Sequence, residues 1–145
     1  MSMSLPRPWW PANPQLAAEL GLSLRHSGAI QQLFELCAVA AVSQDWEIFA
    51  AVMAALCDVG VRSIRNMVEA GKFDSSWGIL YSQTTLPGDL LPLFIEILKV
   101  ARKFQPVEND HTARAQRLAI LQQAITSPDL RGLKLPSDLK AALLA

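Results

Sequence analysis

Two histidines, two cysteines and a few spaced arginines are the residues of this 145-residue chain whose chemistry reaches beyond packing. His111 stands in Glu108-Asn109-Asp110-His111, with Arg114 and Arg117 following at spacings of three. Carboxylates beside an imidazole and a nearby cationic pair could supply a general base and an anion clamp. The same residues also make an ordinary helix start, acidic where the helix dipole is positive, with a solvated basic face beyond it. The second reading is the more economical. His26 has no partner at metal-ligand spacing, and the sequence holds no HxxxH, HExxH or CxxC arrangement, no phosphate-binding glycine loop and no GxSxG elbow. No catalytic residue, metal or cofactor is expected, and the chain is read as a non-enzyme.

Cys37 and Cys57 both fall on apolar helical stripes. If the helices that carry them turn back at Ser43-Gln44-Asp45, the two thiols are offset by about seven residues, roughly 10 Å along the axis, which is out of disulfide range. They are expected to be buried free thiols.

Three features point to partners instead. Pro6-Arg7-Pro8-Trp9-Trp10-Pro11 combines a proline-stiffened backbone with two large amphipathic rings, so Trp9 and Trp10 either dock on another protein or plug a groove on their own domain. Arg62 and Arg65 form a basic edge that Lys99, Arg102 and Lys103 could extend into an anion-binding surface. Arg114 and Arg117 form a second basic pair.

The elements that must position these residues are helical. Few segments alternate apolar and polar residues, whereas apolar residues recur at three and four over most of the chain. From Leu33 to Cys57, 20 of 25 residues are apolar, interrupted by one polar knot at Ser43-Gln44-Asp45. This stretch predicts two almost wholly buried helices in a hairpin, with Ser43 as N-cap of the second. Further helices are expected from Pro14 to Leu20 with Gly21 as the stop, from Ser27 to Val42, from Val61 to Ala70, around Trp77 and Tyr81, and from Leu90 to Phe104. Asn109 or Asp110 is expected to cap the next helix, whose inward face is Ala115, Leu118, Leu121 and Ile125, and a last short helix runs from Ser137 to Leu144. The fold class is therefore all-α, a compact bundle or short stack of antiparallel helical hairpins with six to eight helices. Residues 1–13 form a proline- and tryptophan-rich arm, and residues 14–145 a single domain.

Composition narrows the function classes. Hydrophobic residues make up 51% of the chain and charged residues only 18%, which leaves apolar surface for a partner to cover. Thirteen basic and thirteen acidic residues cancel overall, but residues 1–98 hold five Lys/Arg against nine Asp/Glu, and residues 99–145 hold eight against four. That balance disfavours nucleic acid as the main partner. The longest uncharged stretch, Ser75 to Gly88, is 14 residues and contains threonine and proline, so no membrane span is expected. The first residues lack a basic segment followed by an apolar core, and a cytoplasmic location is expected.

Together these features predict a non-catalytic helical module that binds another protein or a second copy of itself. Two alternatives stand beside it: a bundle holding a small apolar ligand among Trp46, Met53, Trp77, Tyr81 and Phe94, and a nucleic-acid accessory subunit using the basic last third.

Overall fold

The computed structural model of the chain describes residues 7–107, 109–130, 132–133 and 135–144. Pro6 of the arm and Glu108 lie outside the described residues. Those described form eight α-helices and two single-turn 3-10 segments, with no strand among them: α1 Pro14–His26, α2 Ile30–Val42, α3 Trp46–Cys57, α4 Val61–Ala70, α5 Ser75–Ser82, α6 Leu91–Lys103, α7 Asp110–Ile125 and α8 Ser137–Leu144. The expected all-α architecture is the one observed.

The α2–α3 hairpin is the centre of the molecule. Residues 36–42 of α2 and 48–54 of α3 are buried without a break. A helix can be apolar on every side only if other helices cover every side. Here α1 and α4 pack on α3, while α6, α7 and α8 pack on α2.

The hairpin turn differs in detail from the sequence expectation. Ser43 closes α2, its N–H bonding to Val39 O at 2.9 Å, and so does not cap α3. Asp45 does, its Oδ1 accepting from Ile48 N at 3.2 Å. Between them Gln44 takes a left-handed φ of 55°, which reverses the chain in a single residue.

Gly21 is likewise not a stop. Helix α1 continues to His26, because Ala17 and Gly21 form the small face on which α3 approaches. A Cβ at position 21 would lie 3.0 Å from Val52 Cγ1, so the missing side chain sets how close the two helices come. The turn that follows belongs to Gly28, at φ +78°, and α2 starts at Ile30 rather than Ser27.

Helix α6 lies as expected, with Leu90, Phe94, Ile97 and Ala101 buried and Pro92 in its first turn. Asn109 caps α7, its Oδ1 accepting from Thr112 N at 2.7 Å. The inward face of α7 is rotated from the expected one. Ile120, Leu121 and Ala124 are buried, Ala115 is exposed and Leu118 is 41% exposed. Two stripes compete in this sequence, and the one chosen also turns Gln116 toward the hairpin, where its Nε2 donates to Gln44 Oε1 at 3.0 Å.

Candidate functional site

The arm, the flank of α1 and the start of α2 enclose an apolar groove. Trp9, Leu20, Leu24, Gln32 and Glu35 line it, and its volume is about 320 Å³. Leu16, one helical turn before Leu20 on the same flank of α1, is also well exposed. Trp9 is 43% exposed, whereas its neighbour Trp10 is only 7% exposed and belongs to the core. The two rings are 6.0 Å apart and tilted by 48°. Trp10 thus plugs its own domain, whereas Trp9 keeps a face exposed.

Two charged contacts fix the arm. Arg7 Nε donates to Glu35 Oε1 at 2.8 Å in a pair that is largely shielded from water, and its Nη2 donates to the carbonyl of Ala142 in α8. Further along, the Asp45 carboxyl has Trp10 as a side-chain neighbour. Burial pushes the Asp45 pKa up, and the neighbouring Glu47 charge adds to that; the bond from Ile48 N and the proximity of Trp10 oppose both.

The basic residues singled out from the sequence lie on separate helices. Arg62 and Arg65 are on α4, exposed and half-buried respectively, and α4 packs on α3. Arg114 and Arg117 are on α7, again exposed and half-buried, and α7 packs on α6, α2 and α8. Of the three cations expected to extend the first pair, Arg102 and Lys99 are engaged within the fold and Lys103 is exposed. Arg102 Nε donates to Val68 O at 2.9 Å and its Nη2 to Glu69 O at 2.6 Å, while Lys99 pairs with Glu96 at 3.5 Å.

Arg102 belongs to a pattern that sequence reasoning missed. The last carbonyls of a helix have no intrahelical donor and carry the negative end of its dipole. In four of the described helices an arginine or glutamine side chain from elsewhere in the chain supplies the donor. Arg102 serves α4. Arg25 Nη1 serves Leu56 O of α3 at 2.9 Å, and Arg7 serves Ala142 of α8. Gln44 Nε2 serves the end of α6, donating to Ala101 O at 2.9 Å and Phe104 O at 2.7 Å. The sequence separations run from 31 residues for Arg25 to 135 for Arg7, so no local signal exists for these bonds. The one hint was Gln44 itself, a polar residue inside an apolar run.

Of the five residues named for an apolar ligand, Trp46, Trp77, Tyr81 and Phe94 belong to one connected set of ring contacts through Phe49 and Phe94, and Met53 lies in the buried core. Phe94 lies 5.0 Å from Tyr81, 6.0 Å from Phe49, 6.4 Å from Trp77 and 6.5 Å from Phe34. Trp46, half-buried, meets Phe49 edge-on at 5.7 Å, and Met53 is fully buried. Tyr81 OH donates to Pro87 O at 2.5 Å, which ties the cluster to the turn before α6. The Trp77 indole Nε1 has no hydrogen-bond partner although the residue is fully buried.

Both cysteines are buried free thiols. Burial, reinforced by the neighbouring Cys57, pushes the Cys37 thiol up to about 12. Burial likewise raises Cys57 to about 11 against the opposing charge of Arg25, and its Sγ donates to Leu80 O at 3.4 Å. Thiols held this far on the protonated side are weak nucleophiles. His111 sits in the exposed first turn of α7, and the side chains of Glu108 and Asp110 beside it lie outside the described residues. Among the described residues no group of three or more His, Cys, Asp or Glu side chains is arranged to hold a metal ion, and no helix is long and apolar enough to cross a membrane.

Compared with protein-family models, with curated proteins and with solved structures, the chain gives no match in any of the three.

Proposed function

We propose that this chain is a non-catalytic α-helical interaction module, an adaptor or complex subunit that binds another protein or a second copy of itself in a cytoplasmic setting. The observation that carries the reading is the groove of about 320 Å³ walled by the half-exposed Trp9 with Leu20 and Leu24. A tryptophan held by stiff backbone beside half-buried leucines is the kind of side chain that dominates binding energy at interfaces. The polar residues that might have served chemistry support the same reading: Arg7, Arg25, Arg102 and Gln44 bind helix ends. Arg62, Arg65, Arg114 and Arg117 are candidate secondary contacts.

Sedimentation of the purified chain, together with capture from the native cell, tests this. Association that weakens by about thirtyfold in Trp9→Ala is the expected result. A chain that stays monomeric at high concentration and captures no protein, or an association indifferent to Trp9→Ala, overturns it.

The orphaned indole of Trp77 favours a second reading, in which a small apolar ligand carrying one hydrogen-bond acceptor enters the aromatic cluster. A thermal-stability screen against lipids and cofactors tests it. A ligand at 100 times its Kd is expected to add about 2.7 kcal/mol.

A further inference from the structure

We infer that the Arg7–Trp10 arm and helix α8 open and close as one unit, with the Arg7 guanidinium as the clasp between them. Arg7 is bonded at once to Glu35 on α2 and to the carbonyl of Ala142 in the last turn of α8. Besides this bond, helix α8 is held by a small apolar face of Leu139, Leu143 and the partly buried Leu144. It is eight residues long, far below the length at which a helix is stable alone, and only Leu139 and Leu143 are buried from it. It rests on α2 and α7, so its departure would uncover those two leucines and the part of α2 beneath them.

On the other side of the clasp, Trp10 is buried in the core, with Asp45 of the hairpin turn as a side-chain neighbour. Releasing Arg7 removes the charge that answers Glu35 and the donor that ends α8 in the same event, which is why the two segments share one opening. Opening would also displace Trp9 and reshape the groove it walls, because Trp9 stands between Arg7 and Trp10. The coupling is a property of the fold and holds whether or not a partner binds that groove.

Amide hydrogen exchange on the full chain tests the clasp, since protection reports the opening equilibrium of each segment. Arg7→Ala is expected to lower protection of Ala141 to Leu144 by roughly tenfold or more, leaving α3 amides unchanged. Glu35→Gln, which keeps the guanidinium but removes its counter-charge, is expected to give a smaller loss in the same amides. Coupling is reciprocal, so Leu143→Ala must speed exchange of the Trp10 indole N–H. Unchanged protection of α8 in Arg7→Ala overturns the inference. So does a loss shared equally by α3, or a Trp10 indole indifferent to Leu143→Ala.

Discussion

Phe94 has four rings within 5.0 to 6.5 Å of its own, while Arg7, at the opposite extreme, joins two helices through a few directional bonds. The aromatic cluster is held by area, which is non-directional and resists any single opening motion. The seam between the arm, α2 and α8 adds to the burial of Trp10, Leu139 and Leu143 the directional bonds of one guanidinium, and it loosens when that donor leaves. A fold that concentrates its burial in one place can be permissive in another, and the seam adjoins the groove that Trp9 walls.

The sharpest way to break this comparison is at the cluster. Phe94→Ala is expected to destabilise the fold by about 3 to 5 kcal/mol, because the removed ring leaves a cavity that four neighbouring rings cannot fill without moving. Urea unfolding followed by far-UV circular dichroism reads this directly, and a loss under about 1 kcal/mol would mean that the cluster is not the main source of stability.

A polar junction should cost less. Gln44→Ala removes the donor to Ala101 O and Phe104 O and the acceptor for Gln116, and retains a left-handed φ that alanine adopts poorly. A loss of about 1 to 3 kcal/mol is expected. Gln44→Gly relieves the backbone and should recover part of that loss, which separates strain from bonding in the same assay.

Alkali acts on the hairpin itself. Cys37 has an ordinary pKa of 9.0 and a folded value of about 12, so the folded chain keeps a proton that the unfolded chain has lost. The stabilisation is complete below pH 9 and disappears as pH climbs toward 12. Between pH 8 and pH 10 a loss of about 1 kcal/mol is expected from this thiol. Cys37→Ala should flatten that part of the pH dependence of the urea midpoint, and an unaltered slope would assign it to other groups.

The smallest effect is expected at Asp45. Asparagine retains an oxygen for Ile48 N and removes the charge of a half-buried carboxyl whose pKa burial already raises. Asp45→Asn should change stability by less than about 0.5 kcal/mol, whereas Asp45→Ala should cost about 1 kcal/mol through the lost cap. Equal losses in both variants would show that the charge itself matters.

Much of the framework was legible from the chain. The continuous apolar run from Leu33 to Cys57 announced a central hairpin, because helices of that composition are stable only when surrounded. Asn109 was legible as a cap, since a short polar side chain before a helix reaches an N–H two or three residues on, and Asn13 and Asp74 act in the same way. Gly21 was misleading because the same residue serves both as a helix stop and as a close-packing site, and ending α1 there hid Leu24, which lines the groove. The α7 face was ambiguous for a related reason: Leu118 and Ile120 are equally apolar, and only the position of the neighbouring helices chooses between them.

What the chain determined alone was helicity, the hairpin at its centre, the local caps and the burial of both thiols, all consequences of residue spacing within a few turns. The tertiary structure decided which tryptophan of the pair faces water, which face of α7 turns inward and where Arg7, Arg25, Gln44 and Arg102 send their donors. Those outcomes depend on groups 28 to 135 residues apart, or on helices whose relative placement sets which stripe is covered. Local spacing carries no record of such distances, because only packing brings the partners within reach of a hydrogen bond.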